Sequence, residues 1–89
     1  MMYPFMQLDD ETEIVHSEIL EDERVKVYFE KPIEGGFKSA VCYLPDYSWQ
    51  EVAGFNKEEI DRYQEILETT AHLIIQFAKN GGFSNASNF

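Results

Sequence analysis

A long helix with clear start and stop signals is the feature that most constrains the fold of this chain. Asn56 can cap the first turn by accepting a backbone hydrogen bond, and Glu59, three residues later, can reach back to complete a capping box. The glycines at 81–82 suit the left-handed conformation that ends many helices, and Lys79 carries a charge suited to a carboxyl end. The sequence therefore predicts one helix that begins after Asn56 and ends near Lys79.

The predicted helix is amphipathic. Steps of about 100° per residue place its apolar side chains in one arc of roughly 160°. The members of this arc are Ile60, Tyr63, Ile66, Leu67, Thr70, Ala71, Leu73, Ile74, Phe77 and Ala78. Only Ile75 falls on the polar side. Four short strands would not cover so wide an arc, so the excess is covered by residues 47–54 and the end of the chain, or by a second subunit.

Four segments before the helix have the two-residue period of half-buried β-strands. The clearest is the one in which Val25, Val27 and Phe29 alternate with more polar residues. Together the four segments cover residues 3–8, 13–20, 25–30 and 37–44. Short connections favour antiparallel pairing, so we predict a four-stranded meander. We expect residues 47–54 to form a connection that covers one edge or end of the core.

These elements predict a two-layer α+β fold, in which an antiparallel four-stranded meander is followed by one long C-terminal amphipathic helix. The 89 residues have room for one domain only. We assign residues 1–82 to that single domain and residues 83–89 to a C-terminal tail.

The chain is strongly acidic, with 17 acidic and 7 basic residues and a formal net charge of −10. Proteins that bind nucleic acid neutralise phosphates with Lys and Arg, so this balance argues against direct nucleic-acid binding. Eight of the acidic residues lie within residues 1–23, which contain no Lys or Arg. We expect them to decorate two turns; the alternative is a docking surface for a basic partner.

The single cysteine, Cys42, excludes an intramolecular disulfide, and the two histidines occur without a Cys-x-x-Cys motif that would suggest structural zinc. We expect Cys42 to be a buried, inert thiol, because no cationic neighbour is at hand to activate it. The sequence has no basic leader and no apolar run long enough to span a membrane. It therefore predicts a reduced, soluble, cytoplasmic protein without a cofactor.

Candidate chemical groups are few. Glu65, Glu68 and His72 share one face of the predicted helix and could bind a divalent metal, but an exposed polar row is the simpler interpretation. We expect His16 to be a surface or edge histidine of its strand. The serines lack a Gly-x-Ser-x-Gly elbow and no carboxylate pair stands out, so no catalytic residue and no metal ligand is predicted.

Aromatic residues cluster around the connection between the last predicted strand and the helix. They are Tyr43, Tyr47, Trp49 and Phe55. We interpret them as core and loop anchors. The alternative is a partner-binding surface, because Trp and Tyr are enriched at the centres of interfaces.

Most of the chain resembles a family of small acidic proteins of unknown function from Gram-positive bacteria, often encoded near mobile elements. The resemblance is carried by residues 12–17, 25–32, 42–49 and 71–74. It implies a bacterial origin and assigns no activity.

A weaker resemblance is to antitoxins of the HicB type, whose ribonuclease-H-like domain has a Gly-rich hairpin, a Leu-Pro turn and then a helix. The matching residues are Gly-Gly-Phe at 35–37, Leu-Pro-Asp at 44–46, and Gly54 followed by the glutamates at 58–59. This resemblance implies a toxin-neutralising regulator.

Taken together, these features favour a non-enzymatic, acidic protein-interaction domain that binds a basic protein partner or itself, with a homodimer as the expected assembly. The alternatives are an antitoxin-type regulator and a small carboxylate- or metal-dependent hydrolase that would use Glu65, Glu68 and His72.

Overall fold

The computed structural model of the chain describes residues 1–80. Five strands precede one helix: β1 (Met2–Gln7), β2 (Glu13–Ser17), β3 (Val25–Ile33), β4 (Gly36–Leu44), β5 (Ser48–Ala53) and α1 (Lys57–Lys79). The strands form a single antiparallel sheet in the order β1-β2-β3-β4-β5. The predicted glycine stop at 81–82 and the predicted tail at 83–89 lie outside the described residues.

The predicted α+β class is confirmed, but the predicted number of strands is wrong. The segment at 47–54, interpreted as a connection, contains the fifth strand. Between the pairs Val41–Gln50 and Ser39–Ala53 one residue of β4 lies opposite two residues of β5, and Glu51 has a φ of +52°. This bulge, together with the exposure of most of this edge strand, removes the two-residue period by which strands are recognised.

The start of α1 has the predicted capping box. The backbone N–H of Glu59 donates to Asn56 Oδ1 over 2.8 Å, and the backbone N–H of Asn56 donates to Glu59 Oε1 over 3.0 Å. These bonds satisfy two backbone N–H groups in the first turn, and the two glutamates of that turn suit the positive end of the helix dipole. The start of α1 therefore follows from the local sequence.

One face of the sheet packs against α1 and forms the core. The strands contribute alternating residues to it, among them Ile14, Val25, Val27, Phe29, Ala40, Cys42 and Leu44. The helix contributes Tyr63, Leu67, Ile74 and Ala78, which recur at the three- and four-residue spacing of one helical face. Burying these apolar side chains is the main favourable contribution to the stability of a domain of this size.

The buried face of α1 is rotated relative to the predicted arc. Ile75, expected on the polar side, packs against the core, whereas Leu73, expected within the arc, is 38% exposed. At about 100° per residue, Gln64 and Ile75 lie on the same flank of the helix, roughly 20° apart. The unpredicted strand β5 reaches this flank through Trp49, whose indole N–H donates to Gln64 Oε1 over 2.8 Å.

The opposite side of the sheet is called the open face below. A row of residues in register crosses it from β1 to β5: Pro4, Val15, Tyr28, Val41 and Gln50. Within residues 1–80 the only element outside the sheet is α1, which lies on the other side. The one helix within residues 1–80, α1, is not long and apolar enough to cross a membrane.

Candidate functional site

Two of the four predicted partner-binding aromatics belong to the helix side of the sheet. Phe55 is buried and meets Tyr63 edge to face, with ring centroids 5.2 Å apart. Trp49 is half-buried, with its ring centroid 5.3 Å from that of Phe29. Both side chains therefore anchor the layer between the sheet and α1.

The other two lie elsewhere. Tyr43 pairs with Lys26 and Ser48, which places it on the open face, and the guanidinium carbon of Arg24 lies 4.3 Å from its ring centroid. Tyr47 is half-buried in the turn before β5, with a φ of +57°, and packs against the core. The structure thus divides the four aromatics between two faces and one turn, and their contact with a partner stays a prediction.

The acidic and histidine row on α1 is where the sequence placed it. Glu65, Glu68 and His72 are all exposed, and the amide of Gln64 donates to Glu68 Oε2 over 3.1 Å. Across residues 1–80, no group of three or more His, Cys, Asp or Glu side chains is arranged to hold a metal ion.

His16 is fully buried, which corrects the expectation of a surface or edge histidine. The strand β1 pairs outside β2, so His16 is on an interior strand and points toward the helix side. Its ring lies 5.7 Å from the Tyr3 ring and 6.4 Å from the Phe5 ring. Nδ1 lies 2.8 Å from the Ser17 carbonyl oxygen, which can only accept, so Nδ1 carries the hydrogen. Nε2 is buried without a hydrogen-bond partner among the described atoms.

Cys42 is buried on the helix side of β4, as predicted. Burial raises the pKa of its thiol to about 12. Since the thiolate is the nucleophilic form, this thiol is inert at neutral pH.

Six of the eight acidic residues of the N-terminal third lie in two turns, as predicted, whereas Glu13 lies in β2 and Glu18 follows that strand. The two turns share one geometry. In each turn, the backbone N–H of a leucine donates to the carbonyl oxygen of the residue four positions later. The bonds run from Leu8 to Thr12 and from Leu20 to Arg24, both over 2.8 Å. The fourth residue of each turn has a left-handed backbone conformation: Glu11 has a φ of +73° and Glu23 a φ of +64°. Because β2 separates them, the two turns lie at opposite ends of the sheet.

Part of this acidity is neutralised within the chain. Asp10 lies 3.5 Å from Lys31 Nζ and 3.3 Å from an Arg62 nitrogen. Partial burial opposes ionisation of Asp10, but hydrogen bonds from Thr12 and the two cations outweigh it, so the pKa of Asp10 is lowered. In the other turn, Asp22 and Arg24 form an ion pair 2.7 Å long.

Other acidic residues surround a shallow cavity of about 250 Å³ at one end of the open face, called the glutamate groove below. It is lined by Gln7, Glu11, Glu13, Glu30, Pro32 and Phe37. The register of the sheet assembles it, because Glu13 lies directly opposite Glu30 and Pro32 directly opposite Phe37. The Phe37 side chain is 64% exposed, which makes it the most exposed large apolar residue within residues 1–80 apart from Met1.

No cation within residues 1–80 forms an ion pair with Glu11, Glu13 or Glu30. Glu30 accepts one hydrogen bond, from the hydroxyl of Tyr28, over 3.2 Å. Like charges directly opposite each other on neighbouring strands destabilise a sheet, so the pair Glu13 and Glu30 costs stability in the isolated chain. The groove thus combines unneutralised negative charge with an exposed aromatic ring.

The sequence alone does not predict this groove. Its residues come from four strands and one turn, and only the pairing of the strands brings them together. The available signal was that Lys26 and Glu30 alternate with the buried residues of β3, which places Glu30 on the open face.

Compared with known proteins, the chain matches no family model, no curated protein sequence and no solved structure. The two family resemblances seen in the sequence therefore stay predictions.

Proposed function

We propose that this chain is a non-enzymatic, acidic protein-interaction domain of the cytoplasm, and that its open face receives a basic segment of a protein partner. The observation that carries the proposal is the directly opposed pair Glu13 and Glu30. Both side chains line the groove, and no cation of residues 1–80 forms an ion pair with either of them. A basic partner would relieve the repulsion between these carboxylates, so its binding energy includes a term that the free chain lacks.

The rest of the groove supports the same proposal. Phe37 and Pro32 offer an apolar contact beside the carboxylates, and protein interfaces draw most of their affinity from buried aromatic anchors. The net charge of −10 would steer a basic partner toward the domain and accelerate association at low salt.

Peptides of equal length that differ only in charge and apolar content test the proposal. We expect peptides combining Lys or Arg with an aliphatic residue to bind the immobilised domain, and acidic or uncharged peptides not to bind. Reversing charge in the groove with Glu13→Lys and Glu30→Lys should abolish this binding.

The matched control for this test carries Glu21→Lys and Glu58→Lys, which change the net charge equally at exposed positions outside the groove. We expect it to retain most of the binding. Equal loss in both double variants would show that bulk charge, and not the open face, attracts the peptides. Binding of acidic peptides would contradict the proposal altogether.

Self-association is the second form of the proposal, with a two-fold dimer as the expected assembly. It is supported by apolar side chains left exposed on both layers, such as Leu73 on α1 and Phe37 on the open face. The opposing factor is the charge of −10 on each chain, which salt screens beyond roughly 8 Å at physiological ionic strength.

Light scattering at low and high salt tests the dimer. We expect the mass to rise toward twice 10.4 kDa as salt increases, because screening weakens the repulsion. A mass near 10.4 kDa at both salts, well above micromolar concentration, would exclude the dimer and leave binding to a basic partner unaffected.

A further inference from the structure

We infer that the glutamate groove holds an arginine side chain of the partner, with its guanidinium group between Glu13 and Glu30 and stacked on the Phe37 ring. This inference rests on the proposed function and narrows it to one side chain and one place. The chain itself binds an arginine, Arg24, at the other end of the sheet.

Arg24 shows how this sheet accommodates a guanidinium group. Its guanidinium carbon lies 4.3 Å from the centroid of the Tyr43 ring. Its Nε lies 2.7 Å from an Asp22 carboxylate oxygen, and another of its nitrogens lies 3.5 Å from an Asp46 carboxylate oxygen. One aromatic ring of β4 and two carboxylates from separate segments thus surround a single arginine.

The glutamate groove has the same components at the opposite end of the same two strands, except for the arginine. Phe37 is the second residue of β4 and Tyr43 is the last but one, and both residues lie on the open face. Glu13 and Glu30 supply two carboxylates from different strands, and Glu11 supplies a third. The exposed ring and the unneutralised carboxylates are the two parts of an arginine site that a partner would complete.

Arginine fits this arrangement better than lysine. A planar guanidinium group can donate hydrogen bonds to two carboxylates at once while its face stacks on an aromatic ring, whereas an ammonium group is a compact point charge that remains strongly hydrated. A divalent cation would make no use of the exposed ring and of Pro32.

The test is a titration of the isotopically labelled chain, followed by amide chemical shifts, with the peptide acetyl-Gly-Val-Arg-Val-Gly-amide. Two analogues replace arginine by lysine or by citrulline, which keeps the shape of arginine and loses its charge. We expect saturable shifts at Glu13, Glu30 and Phe37, binding about tenfold weaker for the lysine peptide, and no saturation with citrulline.

Three variants locate the site. Phe37→Ser and the pair Glu13→Gln with Glu30→Gln should each weaken binding of the arginine peptide about tenfold. Glu21→Gln, at an exposed position in the turn at the other end of the sheet, should leave it unchanged. Because the substituted side chains line an open surface, we expect all variants to keep the amide spectrum and unfolding midpoint of a folded chain.

The outcomes separate the two proposals. Equal binding of the lysine and arginine peptides, with the same dependence on the groove, would overturn the assignment to arginine and preserve a basic partner. Loss of binding in Glu21→Gln to the same extent as in the groove variants would overturn the groove as the site. Saturation by neither charged peptide, together with no binding of any basic peptide to the immobilised domain, would overturn both.

Discussion

The hydroxyl groups of Thr12 and Tyr63, 51 residues apart in the sequence, lie 3.0 Å from each other and are both fully buried. Tyr63 also stacks on Phe29, with ring centroids 4.9 Å apart and an angle of 17° between the rings. One side chain of α1 thus contacts the centre of the sheet with its ring and the first turn with its hydroxyl group. The bond satisfies two polar atoms that would otherwise be buried without partners.

Removing either hydroxyl group alone should therefore be costly. We expect Tyr63→Phe and Thr12→Val each to lower the free energy of unfolding by about 1–3 kcal/mol, because each leaves the other hydroxyl buried without its partner. The double variant should lose less than the sum of the two single losses, since no orphaned hydroxyl remains. Urea unfolding of the four proteins measures this coupling. Additive losses would show that the two hydroxyl groups contribute independently.

The helix face is tested by four alanine substitutions. Leu67→Ala and Ile74→Ala should each lower the free energy of unfolding by roughly 2–5 kcal/mol, because both side chains are fully buried against the sheet. Glu65→Ala and His72→Ala should change it by no more than about 0.5 kcal/mol, because both side chains are exposed. Urea unfolding curves measure all four. Similar losses in the two pairs would contradict the orientation of α1.

What the sequence predicted well are features set by neighbouring residues. The capping box depends on Asn56 and Glu59, three positions apart, and the helix follows from a period of 3.6 residues. The alternation in β3 likewise depends only on residues of that strand. Local hydrogen bonds and periodicity fix such elements before any tertiary contact is made.

What the sequence did not predict depends on the register between strands. The edge strand β5 is held by β4 and interrupted by a bulge, so its pattern is not that of an isolated strand. His16 is buried because β1 pairs beyond it, and Glu13 meets Glu30 only through the pairing of β2 with β3. A one-residue slip would move any of these side chains to the other face, and no local signal fixes the register.

The glutamates with positive φ in the two acidic turns give a prediction about turn stability. Glu11 and Glu23 occupy positions with positive φ, which cost a side-chain-bearing residue about 1 kcal/mol or more. We expect Glu11→Gly and Glu23→Gly each to raise the free energy of unfolding by up to about 1 kcal/mol, since relief of strain exceeds the entropic cost of glycine. The control Glu21→Gly, in a turn position without positive φ, should lower it. Thermal unfolding compares the three, and destabilisation by all of them would contradict the prediction.

The thiol of Cys42 should be unreactive in the folded protein. Burial raises its pKa to about 12, so almost no thiolate is present at pH 8. We expect iodoacetamide to leave the native chain unmodified at this pH and to label it completely in concentrated urea, with intact mass as the measurement. Rapid labelling of the native chain would show that β4 opens to solvent or that the thiol is accessible.

The capping glutamate gives a prediction about pH. The hydrogen bond from the Asn56 backbone N–H has the largest effect on the pKa of Glu59 and lowers it. Burial opposes this effect, and the nearby charge of Lys38, whose Nζ lies 3.5 Å away, lowers the pKa further. A carboxyl group whose pKa is lower in the folded state stabilises that state above its unfolded pKa, near 4.5, and loses this contribution as the pH falls through its folded pKa. The unfolding free energy of the wild type should therefore exceed that of Glu59→Gln at pH 7, and the difference should shrink steadily below about pH 4.5. Comparing the two proteins cancels the general effect of acid on a chain with so many carboxylates.

The control Glu58→Gln removes a charge from the same helical turn without touching the capping box, so its difference from the wild type should be smaller. A difference between the wild type and Glu59→Gln that stays constant from pH 7 to pH 3 would mean that the charge of Glu59 makes no contribution to holding the start of α1.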